Sequence, residues 1–148
     1  MIEQHMMIGA GILKPVVALA GLTMVMWLWM YATRIPAMNK AGFDAKTKVG
    51  GTGKDLDGML PDKVQWIAHN YNHLHEAPTV FYAVALVLAF AGQGDGLNMK
   101  LGWAYVGLRV LHSLVQVTSN RVMVRFSLFA LSSIVLIMLT VHAAIAVF

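Results

Sequence analysis

The stretch Val122–Val147 reads VMVRFSLFALSSIVLIMLTVHAAIAV, and its only formal charge is Arg125 in the first turn. As a helix rising about 1.5 Å per residue it would be about 39 Å long, more than the ~30 Å hydrocarbon core of a bilayer. A soluble helix of this length would break its apolar residues with charge at amphipathic spacing, whereas this run is continuous. The composition agrees: 58% of the 148 residues are apolar and 12% charged, far too little charge to cover a water-soluble domain of this size. The solvent is lipid, and the length fits one domain.

Three further spans are read outward from this one. The turn Ser119-Asn120 separates it from a helix over about 101–118, which carries Arg109, His112 and Gln116. The turn signal Gly92-Gln93-Gly94-Asp95-Gly96 closes a helix over about 62–91, with Asp62 as cap, polar in its first half and apolar from Thr79. A first helix covers about 8–32, its start near Ile8 if Lys14 snorkels. It ends in Trp27, Trp29 and Tyr31 before Arg34, an aromatic belt followed by a basic anchor. Its apolar run is too long for a signal peptide, and no small-residue cleavage site follows. The glycine-rich loop 33–61 is a lid or disordered. Gly50-Gly51-Thr52-Gly53-Lys54 is no phosphate loop, because no strand precedes it and Asp55 stands where a hydroxyl is needed. The expectation is an all-α, integral membrane four-helix bundle, 1–148, running up-down-up-down with short turns around the third helix.

Charge sets the orientation. Arg34, Lys40, Lys46, Lys48, Lys54 and Lys63 gather in or beside the first loop, and Arg121 and Arg125 at the third, while the second holds Lys100 alone. Positive-inside bias then makes loops one and three cytoplasmic and places both termini outside. The net charge of +4 is explained by this topology and does not imply nucleic acid. With no cysteine, the chain has no disulfide, thiolate metal site or cysteine nucleophile, so any thiol chemistry uses a substrate's thiol.

A charge in mid-helix costs about 2.5–3.5 kcal/mol on insertion scales, so Glu76 and Arg109 need partners or water. Arg109, His112 and Gln116 fall on one helix face at i, i+3 and i+7. His69, Asn72 or His73, and Glu76 form a similar stripe on the second helix. Several readings stay open. Glu76 and Arg109 form a buried ion pair, with Asn72 and Gln116 as interhelical glue. His69, His73 and Glu76 have spacing that zinc could use, and His112 or His142 could ligate haem. Glu76 could also serve a proton relay. His5 and His142 read as terminal or packed, and His75 points off the stripe. Finally, several guanidinium groups with few carboxylates suit a multiply anionic ligand, since arginine gives bidentate recognition and can stabilise a bound thiolate.

The runs Trp103-Ala104-Tyr105-Val106-Gly107-Leu108-Arg109-Val110-Leu111-His112-Ser113 and Thr118-Ser119-Asn120-Arg121-Val122-Met123-Val124-Arg125-Phe126 resemble the membrane-associated proteins in eicosanoid and glutathione metabolism, the MAPEG family, in a bacterial-type form. Asn72-His73-Leu74-His75-Glu76-Ala77-Pro78 is similar to the family's second-helix signature of Asn, Glu and Pro. The resemblance implies a homotrimer in the bacterial inner membrane, with glutathione as co-substrate between subunits near the cytoplasmic side and no metal or haem. It implies that Arg109, His112, Arg121, Asn72, Glu76 and Arg34 hold glutathione, with His73 and Gln116 beside them, and that Arg125 stabilises the thiolate. Family members conjugate glutathione to lipophilic electrophiles, reduce lipid hydroperoxides or isomerise lipid endoperoxides. Other members bind lipid or act structurally without catalysis. This chain departs from enzymatic members in offering His69, Asn72 and His73 where arginines are common, and Gln116 where a tyrosine stands. Two registers fit the signature: Glu76 with Pro78 puts His73 in the Asn slot, and Pro78 alone puts Asn72 there and His75 in the Glu slot.

Overall fold

A computed structural model describes residues 9–148; the expected helix start near Ile8, and His5, lie outside them. After a 3₁₀ turn at Ala10–Ile12, helix α1 runs Leu13–Lys40. It continues about two turns past the expected end near 32, straight through Pro36. Proline removes one backbone donor, and at this exposed terminal turn that loss is tolerated. Arg34 therefore rides on a helix, and the loop shrinks to 41–61.

The loop is ordered by its own side chains. The Asp44 carboxylate accepts hydrogen bonds from the Thr47 hydroxyl and the Lys46 N–H, which hold its carboxyl below the usual carboxylate range. A 3₁₀ turn at Gly53–Leu56 is closed by Thr52 and Asp55, whose carboxylate accepts from the Thr52 N–H at 2.8 Å. Leu56 and Leu60 are buried and tie the loop down.

The second span is not the single helix 62–91 that the pattern predicts. It divides into α2, Asp62–His73, and α3, Ala77–Phe90, with a break over Leu74–Glu76. Pro78 is the cause: it has no N–H to give the Leu74 carbonyl, and its ring crowds the preceding turn. Glu76 leaves helical geometry at φ −92 and ψ −105. The chain restarts with Pro78 in the first turn and with both the N–H and the hydroxyl of Thr79 donating to the Glu76 carbonyl.

Helix α4, Leu97–Thr118, begins one turn before the expected 101, and Asn120 at φ 49 turns the chain into α5, Val122–Val147. α4 sits centrally, packed on α1, α2 and α5, while α5 also crosses α3. Leu19, Phe81, Leu88, Tyr105 and Leu139 are sealed between the helices, with the Phe81 and Tyr105 rings stacked at 4.6 Å. Gly102 lets α4 lie against the Pro15 ring, since a Cβ there would stand 2.9 Å from Pro15 Cγ. At that same end the Asp95 carboxylate accepts from the Gly9 and Gly11 N–H groups, both at 2.8 Å, and clasps the 3₁₀ turn before α1 to the α3–α4 turn.

Ala10–Lys40, Asp62–Phe90 and Val122–Val147 are long and apolar enough to cross a membrane. α4 is long enough, at about 33 Å by its rise, but it is more polar because it turns Arg109, His112, Ser113 and Gln116 inward. Val17, Val25 and Leu28 on α1, and Ile134, Ile137 and Val141 on α5, face outward. Such a belt is unfavourable in water and suited to acyl chains. The protein is an all-helical, integral membrane bundle of four spans, one of them broken.

Candidate functional site

The break in the second span and the inward face of α4 meet at the end of the bundle that carries the 41–61 loop. His73 on α2 lies against His112 on α4 with ring centroids 4.8 Å apart, and Phe81 on α3 stacks on Tyr105. These two antiparallel contacts bracket Arg109 and place it level with residues 76 and 77, opposite the break. Beside them is an open cleft of about 360 Å³ lined by His69, His73, Glu76, His112, Gln116 and Arg125, with Val122, Phe126 and Phe129 as its apolar wall.

The Glu76–Arg109 ion pair does not form. At the break Glu76 turns outward, its side chain 66% exposed, and its Oε2 meets His73 Nδ1 at 2.7 Å. An ionised carboxylate only accepts, so Nδ1 carries the proton in that bond. Arg109 is fully buried, and Nε and both terminal nitrogens have no hydrogen-bond partner among the described residues. The same holds for His112 Nδ1, Gln116 Oε1 and Arg125 Nε. Most buried polar groups are paired, so these are exceptions that call for a partner. His112, Gln116 and Arg125 line the cleft, whereas Arg109 is buried and does not.

The remaining expected residues are scattered. Asn72 is exposed and does not line the cleft. Arg34 donates to the Gly53 carbonyl at 2.6 Å, bracing the loop and not the cleft. Arg121 is exposed at the N-cap of α5. His69 and His73 face different carboxylates, Asp57 at 3.2 Å and Glu76, and no group of three metal-ligating side chains converges among the described residues. His142 lies at the opposite end, bonded to Asn98 at 2.6 Å, and His75 caps the Tyr71 carbonyl away from the stripe.

Three polar residues join the interior that the sequence reading left out: Asn70, Tyr105 and Ser113, all fully buried with side-chain atoms unpaired among the described residues. Tyr105, Arg109 and Ser113 stand at i, i+4 and i+8, so the stripe through Arg109 and His112 already contained the signal for two of them. Asn70 lies one turn before His73 and gave none beyond its spacing.

Chemically, the cleft combines a guanidinium, imidazoles and a carboxylate with a phenylalanine wall continuous with the lipid-facing surface. It suits a small polar anion beside an apolar molecule. Fold and site together define a membrane helical bundle whose polar chemistry is sunk between its spans and not carried on a loop. The MAPEG family model matches residues 12–145, nearly the whole chain, and the protein belongs to the MAPEG family. It is thus a membrane protein of the glutathione- and eicosanoid-metabolism kind. No curated protein and no solved structure matches it.

Proposed function

We propose that the protein is a glutathione-dependent transferase or peroxidase acting on lipophilic electrophiles or lipid hydroperoxides that enter from the bilayer. The observation that carries this reading is the set of buried guanidinium nitrogens on Arg109 and Arg125, without protein acceptors among the described residues, beside an open cleft with a phenylalanine wall. A peptide with two carboxylates and a thiol supplies the acceptors such groups lack, and guanidinium–carboxylate bonds are among the stronger ones available. In this reading Arg125 stabilises the thiolate, while His112, Gln116, Glu76 and His73 surround the peptide, and Arg109, which is buried and does not line the cleft, acts on it from the interior. Arg34, Asn72 and Arg121, which do not line the cleft of their own protomer, belong at the boundary with a neighbour in a homotrimer. The loop end faces the cytoplasm, following the basic residues it carries.

The test is calorimetric titration of the detergent-purified protein with glutathione, alongside its thermal unfolding. Binding heat and a raised melting temperature at millimolar ligand are expected, and the absence of both would remove the proposal. A second reading, a non-catalytic lipid-binding or structural member, draws on the exposed positions of Asn72 and Arg121. It predicts that Arg125→Ala changes neither fold nor ligand binding.

A further inference from the structure

The proposed chemistry leaves one proton unassigned. A thiol must lose its proton to attack, and Arg125 cannot take it, because a guanidinium stays protonated at any relevant pH. The cleft holds four side chains able to accept a proton: His69, His73, Glu76 and His112. His69 is engaged by Asp57 at the mouth. His112 is 3% exposed, its Nδ1 sealed from solvent. Glu76 has its side chain largely outside and its Oε2 already on an imidazole. His73 differs from all of them. Its ring lines the cleft, its Nδ1 is held by the Glu76 carboxylate at 2.7 Å, and its Nε2 has no partner among the described residues. With the proton fixed on Nδ1, the lone pair is on Nε2. A carboxylate behind an imidazole both fixes that tautomer and stabilises the imidazolium that forms.

The break in the second span is what permits the arrangement. In a continuous helix residues three apart lie near one another, but both side chains lean toward the N-terminus. Here the chain leaves the helix at Glu76, and the carboxylate folds back over the ring one turn below. His112 at 4.8 Å and Phe129 at 5.8 Å wall the imidazole on two sides.

We propose that His73 is a catalytic residue, with Glu76 positioning it: the pair removes the proton of the bound thiol and delivers it to a departing alkoxide or, where the leaving group is not basic, to water. This rests on the glutathione reading above. With a hydroperoxide, the S–H bond breaks as Nε2 takes the proton, and the sulfur pair attacks the distal oxygen. The O–O bond breaks, and the alkoxide collects the proton from His73 to leave as alcohol. The sulfenic acid of glutathione remains, and a second glutathione thiol converts it to the disulfide and water. With an activated aryl chloride, the sulfur–carbon bond forms, chloride leaves, and His73 passes the proton to water.

The test uses the full chain in lipid nanodiscs, with glutathione bound and an activated aryl chloride in excess, and follows single-turnover rate against pH. The groups facing His73 are Glu76 at the break, His69 on its own helix, Arg109 and His112 on α4, and Arg125 on α5. Arginine does not titrate in the window used, so a rate inflection between about pH 5 and 8 is assigned among histidines and Glu76 by variants. His73→Asn, assayed at glutathione concentrations that saturate the variant, is expected to abolish the inflection and slow the reaction about 10²- to 10⁴-fold, the usual worth of a positioned base. Glu76→Gln is expected to displace the inflection toward acid. If glutathione binds and His73→Asn retains both inflection and rate, the dyad is overturned and the binding reading survives. No binding heat in the wild-type protein overturns both. Should His73→Asn fail to fold, Glu76→Gln decides, since an unmoved inflection there overturns the dyad.

Discussion

Arg109→Leu is expected to make the unliganded protein more stable. The side chain is fully buried, and none of its nitrogens has a protein acceptor among the described residues. On insertion scales an arginine at mid-helix costs about 2.5–3.5 kcal/mol and a leucine gains about 0.3–0.6, a difference of roughly 3–4 kcal/mol. Leucine is smaller, and the space it leaves takes back about 1–2 kcal/mol. The net expectation is a stabilisation of about 2 kcal/mol, which in a chain of this size raises the melting temperature by about 4–8 °C. Thermal unfolding in detergent, followed by tryptophan fluorescence, measures it with and without glutathione. The wild-type protein should gain stability on adding the peptide, and the variant should gain little, because a buried charge kept for a ligand trades resting stability for binding. If Arg109→Leu lowers stability by more than about 1 kcal/mol, the guanidinium is held by protein groups, since breaking a satisfied buried pair costs about 3–5 kcal/mol.

Two further perturbations test the packing. Gly102→Ala sets a methyl 2.9 Å from Pro15 Cγ and 3.2 Å from Ile12 Cγ1. The proline ring gives little, so α1 and α4 must separate at that end, at a cost of about 1–3 kcal/mol read as a lowered melting temperature. Asp95→Asn keeps one acceptor oxygen and loses the charge-assisted clasp on Gly9 and Gly11. Amide exchange at residues 9–12 should quicken markedly while exchange in α5 is unchanged, and equal protection in both proteins would deny the clasp its role.

Much of this architecture was legible in the amino-acid pattern because lipid imposes a simple demand. Apolar runs long enough to cross the bilayer, punctuated by glycine turns and basic loops, located α5, the turns around α4 and the polar stripe through Arg109, His112 and Gln116. What escaped depends on single backbone events. Pro78 was read as part of a motif, yet its missing N–H is what parts α2 from α3 and swings Glu76 away from Arg109 to His73. Pro36, by contrast, did not end α1, because at an exposed last turn one lost bond matters little. Asn70 and Asn72 have the same side chain and nearly the same position. Their opposite burial is set by about 200° of helical phase, which is fixed only once α2 docks.

The interruption at Leu74–Glu76 also gives the second span an articulation. The rungs of a helix normally transmit a tilt along their full length. Here two short rods meet at a junction with few ladder bonds, held by contacts at 2.7–3.2 Å from Thr79, Glu76 and His75. A tilt of the rod bearing His69 and His73 is therefore passed on only weakly to the rod bearing Phe81 and Leu88, whose side chains are sealed in the core.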